Sequence, residues 1–329
     1  MKRASKNVLI ENASIVTPFG VLEKASLTMI DGIIAAINGS PDGCDLRLDA
    51  DGMYVLPGLV DLHSDAVEKE IEPRTGARFP VNVSIIEMDK KLAGCGITTM
   101  YHSISYSTNR PGGIRDNELT SGIIKEINRL APELGIRTKV HARFDIINAS
   151  AVPYLERLIN DGMVHLLSVT DHTPGQGQYK DLIAYAKNSL AMRELDEAGK
   201  AEYVERRLKA AVPIETDYIW KIVDICQALG IPVASHDDHT TEKLDLVCSK
   251  GITISEFPIT MEVAELASRR NMYVLLGSPN VVRGTSTGNN LDAREAIKAG
   301  FGNVLCSDYA PMTMIHAVFT LERMGIPLH

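Results

Sequence analysis

Short apolar runs recur along most of the chain, and each run stops at polar or ionisable residues. The segment before each run has a helical pattern and ends at glycine or at a polar pair, as Leu229-Gly230 and Lys250-Gly251 do. Glycine commonly ends a helix because it adopts the left-handed backbone conformation without strain. The pattern therefore predicts alternating helices and strands, with the strands at residues 55–65, 97–102, 138–145, 164–172, 232–238, 252–256, 273–278 and 304–308.

The predicted strands are apolar over nearly their whole length, which is typical of a parallel sheet that is buried on both faces. Eight strand–helix units of this kind predict an α/β protein in which residues 55–329 form a (β/α)8 TIM barrel. An open doubly wound sheet is the alternative fold. It is disfavoured because no G-x-G-x-x-G follows the first strand, and because it would not bring the polar ends of all eight strands together.

Residues 1–54 follow a different pattern from the rest of the chain. Runs at 8–10, 14–16, 26–30 and 33–37 are apolar or β-branched and are separated by turn residues such as Asp31-Gly32. They predict a small β-sandwich-like domain that precedes the barrel. A long, highly charged connection between residues 171 and 232 is expected to hold additional helices, either as a lid or oligomer contact or as a solvated insertion.

The composition is that of an ordinary globular protein, with 329 residues, of which 45% are hydrophobic and 23% charged. A net charge of −8 argues against nucleic acid and anionic membrane surfaces as partners. The five cysteines are scattered without a C-x-x-C pair, which favours a reduced, cytoplasmic setting. The apolar runs are too short to lead us to expect a signal peptide or a membrane span, and homo-oligomer formation is left open.

Candidate metal ligands stand at the carboxyl ends of five predicted strands. His63 and Asp65 are two residues apart on a strand, so both side chains point to the same side of the sheet. Imidazole and carboxylate groups without thiolates favour a divalent cation such as Zn²⁺ or Mn²⁺, and two ions could share a carboxylate, for which Asp145 is our candidate. The structural alternative is that each is a capping or ion-paired residue. The full predicted set is His63, Asp65, Asp145, His172, His236 and Asp308.

Other titratable residues are less clearly placed by the sequence. His141 lies early in its strand, so we interpret it as a core residue. His102 could line the barrel mouth. Glu256 ends the sixth strand, where it could bind a metal, orient a ligand or pair with an arginine, and the sequence leaves these three roles open.

Groups able to bind an anion lie on the loops that follow the strands. Arginine side chains and glycine-containing loops commonly bind phosphate, and TIM barrels often do so after the seventh and eighth strands. These loops are candidates to bind a phosphorylated small molecule, although a loop arginine taken alone is more often only a surface residue. The predicted substrate-binding residues are Arg74, Gln176, Gln178 and Arg283.

Residues 56–65 resemble the first-strand signature of the amidohydrolase superfamily, with Asp65 where many members have a second histidine. Further segments resemble the hydrolases of phosphonate metabolism, the α-D-ribose 1-methylphosphonate 5-triphosphate diphosphatases. The resemblance extends over nearly the whole chain. Asp145 stands where that family usually has glutamate. The segments are 168–176, 234–238, 255–258, 277–284 and 307–309.

This resemblance implies a metal-dependent hydrolase that converts a ribosyl triphosphate to its 5-phosphate and pyrophosphate. Our candidate for the general base is Asp308, which would take the proton from the attacking water. It also implies further strands beyond the eighth barrel strand, so we expect the small β domain to be incomplete in a chain that ends at His329. Two alternatives remain open. One is hydrolysis of a cyclic amide or amidine, and the other is a barrel that serves as a non-catalytic scaffold.

Overall fold

The structure, a computed structural model, describes residues 7–39, 43–74, 76–107, 113–173, 196–209, 211–214, 216–286 and 290–329. The predicted substrate-binding residues Gln176 and Gln178 therefore lie outside the described residues. The chain divides into two compact units. One holds the described residues up to Gly58 together with Leu321–His329, and the other is Leu59–Thr320.

The N-terminal unit contains a five-stranded sheet whose order is β3-β2-β1-β4, with β5 also paired to β1. The core lies on alternate positions such as Ala13, Ile15, Ala25 and Leu27, as expected where one face of a strand is buried. Our prediction of separate strands at 8–10 and 14–16 is wrong. They form one strand with an irregularity at Asn12, whose left-handed backbone (φ 56°) lets pairing resume beyond it. The strands are β1 Val8–Thr17, β2 Gly20–Ile30, β3 Ile33–Ile37, β4 Leu46–Asp49 and β5 Tyr54–Val55.

The second unit contains eight parallel strands in sequential order, so the predicted barrel is confirmed. The sheet closes where Ser64 bridges Asp308 in the parallel sense. At that point the Asp65 amide donates to the Asp308 carbonyl at 2.8 Å, and the Asp308 amide donates to the His63 carbonyl at 2.9 Å. The strands are β6 Leu59–Ser64, β7 Ile97–Tyr106, β8 Arg137–Asp145, β9 Leu166–Thr170, β10 Val233–His236, β11 Ile254–Glu256, β12 Tyr273–Gly277 and β13 Val304–Cys306.

Two predicted strand boundaries are wrong. Val55 pairs with β1 in the N-terminal sheet, and the barrel strand starts only at Leu59. Pro57, which has no amide hydrogen to give to a sheet, separates the two segments. The second barrel strand continues to Tyr106, because it pairs with β8 over this whole length, and His102 therefore lies in mid-strand.

Helices follow the barrel strands, and several of them begin at residues whose side chains cap them. Thr260 is an example, since its hydroxyl accepts from the amide of Val263. The described part of the charged connection contains two helices, as predicted. Among the described residues no helix is both long and apolar enough to cross a membrane. The α-helices are α1 Ala66–Ile71, α2 Val81–Gly94, α3 Asn117–Leu130, α4 Val152–Asn160, α5 Glu197–Lys209, α6 Asp217–Ala228, α7 Thr241–Ser249, α8 Met261–Arg269, α9 Ser278–Arg283, α10 Ala293–Lys298 and α11 Thr313–Arg323.

Candidate metal centre

Two histidines meet on one carboxylate at the carboxyl ends of the barrel strands. His63 Nδ1 lies 3.3 Å from Glu256 Oε1, and His236 Nδ1 lies 3.0 Å from Glu256 Oε2. The two imidazole rings stack with centroids 5.4 Å apart, and Phe257 contacts both rings edge-on. All three polar side chains are buried. The sixth strand therefore supplies a carboxylate that joins the first strand to the fifth.

A second group lies on the other nitrogen of His236. Its Nε2 is 3.5 Å from Asp237 Oδ2, and the His172 ring stands edge-on to the His236 ring at 6.0 Å. His172 Nδ1 lies 3.6 Å from Asp145 Oδ2. The third, fourth and fifth strands thus bring two imidazoles and two carboxylates to one place.

Asp65 and Asp308 form the third part of the site, at the seam where the barrel closes. Their backbones are hydrogen-bonded to each other, so the two carboxyl groups are held on neighbouring strand ends. Arg115 Nη2 lies 3.5 Å from Asp65 Oδ2, and Lys69 Nζ lies 3.7 Å from Asp65 Oδ1. These cations partly neutralise one carboxylate of the seam.

Three residues at these strand ends have a left-handed backbone although none is glycine. The φ angles are 53° at Asp237, 51° at Phe257 and 55° at Asp308. Such conformations cost free energy in residues with a side chain and tend to occur at functional sites. Each lies immediately beyond a barrel strand or one residue further, where it redirects the chain at the mouth.

Burial sets the protonation of the site. It lowers the pKa of His63 and of His236 well below the ordinary value, with the positive charge of Arg143 acting in the same direction. Burial raises the pKa of Asp308 to about 7, assisted by the charge of Asp65. Burial also raises the pKa of Asp237 to about 7, against the opposing charge of Lys243. Near neutral pH both imidazoles are therefore neutral, and the carboxyl groups of Asp237 and Asp308 are each about half protonated.

The donor set fits a divalent cation. Among the described residues, Asp65 Oδ1, Asp237 Oδ2 and His141 Nε2 are buried polar atoms without a hydrogen-bond partner. Asp237 Oδ2 faces His236 Nε2, which accepts from Arg143 and so carries no proton. A cation bound here would give both atoms a partner. Two groups have ligand atoms within 4.8 Å of one another: His63, His141 and Glu256, and His172, His236 and Asp237. Nitrogen and carboxylate donors without sulfur suit zinc or manganese.

The structure brings the predicted ligands into one region, but it also places there residues that the sequence-based predictions did not include. His141, which we expected to be only a core residue, is fully buried, and its ring lies 5.1 Å from the His63 ring. Arg143 is buried, and its Nη2 lies 3.3 Å from His236 Nε2. Both alternate with Asp145 along β8, so a strict reading of the alternation would have placed all three on one face.

The predicted substrate-binding arginines differ in their surroundings. Arg283, at the end of α9, donates from Nη1 to the Tyr309 hydroxyl at 3.3 Å. Lys69, which pairs with Asp65, contacts the same tyrosine, since its Nζ lies 4.8 Å from the centre of the Tyr309 ring. Tyr309 therefore connects Arg283 to Lys69. Arg74 is exposed and makes a backbone bridge with Ala77.

The chain is similar over nearly its whole length to a protein of known name. It is 31% identical to alpha-D-ribose 1-methylphosphonate 5-triphosphate diphosphatase of Escherichia coli (strain K12) over 314 residues, which cover 95% of this chain and 82% of that protein. The chain belongs to the family of that diphosphatase. The resemblance read from the sequence is thereby confirmed, although no family model matches.

Solved structures of other members of the fold agree with the barrel. A beta-aspartyl dipeptidase from Fervidobacterium islandicum AW-1 superposes with a TM-score of 0.58 at 15% identity, covering 98% of this chain and 83% of that one. An amidohydrolase superposes with a TM-score of 0.52 at 12% identity, covering 97% of this chain and 76% of that one. Its family and the donor set of the centre make the chain a metal-dependent hydrolase, and the solved structures show that it shares its barrel fold with an amidohydrolase.

Proposed function

We propose that this hydrolase acts in phosphonate catabolism and converts α-D-ribose 1-methylphosphonate 5-triphosphate, or a closely related ribosyl triphosphate, to the 5-phosphate and pyrophosphate. The observation that carries the proposal is the 31% identity to the diphosphatase over 95% of the chain. The buried centre of imidazoles, carboxylates and one arginine at the strand ends supports the same chemistry.

The proposed reaction is hydrolysis at the phosphorus nearest the ribose. The oxygen of water forms a bond to that phosphorus, the bond to the bridging oxygen breaks, and pyrophosphate leaves with the electron pair. One proton must be removed from the attacking water. We propose Asp308 as the group that takes it, and the pKa of about 7 of its buried carboxyl group supports this role.

The cation is proposed to be held by the predicted ligands, with zinc or manganese as the metal and two ions as the full complement. When bound, a divalent ion lowers the pKa of water and neutralises charge on phosphoryl oxygens. Asp237 is an additional ligand candidate, because its buried oxygen atom faces His236 Nε2. The proposed set is His63, Asp65, Asp145, His172, His236 and Asp308.

A polyanionic substrate needs cations in a protein whose net charge is −8. Arg143 lies inside the site, and its Nε is buried without a hydrogen-bond partner among the described residues. Arg115 is held at the rim by Glu68, whose Oε2 accepts from the guanidinium at 2.8 Å. We propose that these two arginines assist the substrate-binding residues Arg74, Gln176, Gln178 and Arg283 in holding the phosphate groups.

The proposal is tested with a panel of substrates. Purified protein loaded with Mn²⁺ or Zn²⁺ is offered ribosyl and nucleoside triphosphates and, separately, cyclic amides, and the products are identified by ³¹P NMR and by chromatography. We expect pyrophosphate and a 5-phosphate from the ribosyl triphosphate. Ring opening of a cyclic amide without pyrophosphate release would favour the alternative amide reaction and contradict the proposal.

A further inference from the structure

Glu256 is a fully buried carboxylate at the end of β11, and three histidines lie around it. Its two oxygen atoms are used separately, Oε1 by His63 and Oε2 by His236. Burial raises the pKa of Glu256, but the neighbouring His141, the hydrogen bond from His236 and the positive charge of Arg143 outweigh it, so the pKa lies below its ordinary value. Each oxygen also faces a ring nitrogen that can donate to it. Glu256 is therefore an ionised group that can only accept hydrogen bonds.

The contacts of His236 determine which of its nitrogens carries the proton. Arg143 can only donate, so His236 Nε2, at 3.3 Å from the guanidinium, is the acceptor and has no proton. The proton of the neutral ring must then lie on Nδ1, which donates to Glu256 Oε2 at 3.0 Å. The contacts of both nitrogens therefore indicate the Nδ1–H tautomer of His236. The unprotonated Nε2 is the atom that faces Asp237.

His63 follows the same rule on the other oxygen. A neutral imidazole that meets an acceptor-only carboxylate must donate to it, so Nδ1 of His63 carries the proton and Nε2 keeps its lone pair. His141 differs, because its Nδ1 donates to the Leu62 carbonyl at 3.0 Å and its Nε2 lies 3.7 Å from Glu256 Oε1. That separation is too long for a hydrogen bond, so Glu256 orients two of the three rings.

We propose that Glu256 is a positioning residue of the metal centre: it accepts Nδ1–H from His63 and His236 on separate oxygens, so that Nε2 of both rings keeps a lone pair for the cation. At His236 the cation would replace the Arg143 guanidinium as the partner of Nε2. Carboxylates that hold ligating imidazoles in this way fix the ring orientation and the tautomer. The inference rests on the metal dependence of the hydrolase and is independent of the proposed triphosphate substrate. The competing role, in which Glu256 itself binds an ion with His63 and His141, becomes an outcome of the test.

The first measurement needs neither metal nor substrate. Imidazole ¹⁵N NMR of the metal-free wild-type protein at neutral pH should show the Nδ1–H tautomer for both His63 and His236. An Nε2–H tautomer for either ring in the wild type would overturn the proposal, and this holds even if the variants below fail to fold.

The second measurement compares Glu256→Gln with Glu262→Gln, in which an exposed glutamate at the start of α8 undergoes the same change. A carboxamide offers one oxygen and one NH₂, so only one ring can keep its donor on Nδ1, and we expect the other to become the Nε2–H tautomer. Glu262→Gln should leave both rings as they are in the wild type.

The third measurement is Zn²⁺ affinity and stoichiometry by competition with a chelator. Glu256→Gln should bind Zn²⁺ roughly 10- to 100-fold more weakly, the usual effect of losing such a partner, with the number of sites unchanged. Loss of a whole equivalent with unaltered tautomers would make Glu256 a ligand and overturn the proposal, as would an affinity equal to that of Glu262→Gln. Absence of triphosphatase activity in the wild type would affect only the proposed substrate.

Discussion

At the scale of single residues, the site depends on where each proton resides. Neutral His63 and His236 can donate a lone pair at pH 7 because burial disfavours their charged forms. Asp237 and Asp308 are held near their midpoints by the same burial. The site therefore combines neutral imidazoles, whose lone pairs are available to a cation, with carboxyl groups that exchange protons at neutral pH.

Asp308→Asn should keep its fold and lose turnover by about 10²–10⁴-fold, the usual contribution of a positioned acid–base group. An amide cannot accept the proton from water, whereas the backbone contacts of residue 308 with His63 and Asp65 are retained. The measurement is kcat at saturating metal, together with metal content and thermal unfolding. A kcat equal to that of the wild type would place the base elsewhere, and Asp237 would be the next residue to test.

Metal binding should release protons in a pH-dependent way. Asp237 and Asp308, both with a pKa of about 7, would each be about half protonated at pH 7, so filling the site should release about one proton. Below the pKa both carboxyl groups hold protons and their release should increase, and at pH 9 the contribution of these two groups should approach zero. Calorimetric titration with Zn²⁺ in buffers of different ionisation enthalpy measures the number of protons released. Release that does not change between pH 6 and pH 9 would contradict these pKa values.

Arg283→Ala should raise KM for a ribosyl triphosphate by roughly 10-fold or more at unchanged metal content, since a charged hydrogen bond to phosphate contributes about 1.5–3 kcal/mol. Arg269→Ala is the matched control, because Arg269 is an exposed arginine on α8 that pairs with Glu265. Equal KM values in the two variants would show that Arg283 does not contact the substrate.

At the scale of elements, the barrel strands end where polar residues begin, and the following helices fix the direction of the chain. The α8 helix starts shortly beyond Glu256, with Thr260 as its cap. Between Glu256 and this cap lies Phe257, whose backbone is left-handed and whose ring contacts both His63 and His236. Helix caps and site geometry are thus connected through short segments of chain.

Thr260→Ala should destabilise the protein by about 1 kcal/mol, because the amide of Val263 loses its side-chain acceptor at the start of α8. Thr260→Ser keeps the hydroxyl and serves as the control. Denaturant unfolding of both variants, followed by circular dichroism, measures the difference. A serine variant as unstable as the alanine variant would show that the methyl group of Thr260, and not its cap, provides the stability.

Much of the element order could be predicted from the sequence, because apolar strands and terminal glycines are local signals. Membership of a sheet is not local. Val55 looks like the start of a barrel strand, but it pairs with Ile15, far earlier in the chain. The alternation along β8 puts His141 on the same face as Asp145, but it does not show that His141 lies near Glu256. That approach depends on the stagger between strands, which the sequence of one strand does not contain.

At the scale of the whole molecule, the chain carries its chemistry at one end of a closed barrel. Closure depends on Ser64 and Asp308, so the last strand brings the proposed base next to the first metal-facing histidine. A net charge of −8 gives no long-range attraction for a triphosphate. In the proposed reaction, affinity for the substrate would therefore have to come from bound cations and from the arginines at the mouth, which would connect substrate binding to metal content.

The metal content of His63→Ala tests this account most directly. His63 lies between the Glu256 carboxylate and the closing seam, so its loss should remove at least one equivalent of divalent metal and abolish hydrolysis. His316→Ala, which alters an exposed histidine on α11, should retain the wild-type content. Elemental analysis of both variants after identical loading with Zn²⁺ gives the comparison. Undiminished metal in a folded His63→Ala protein would contradict the assignment of the centre.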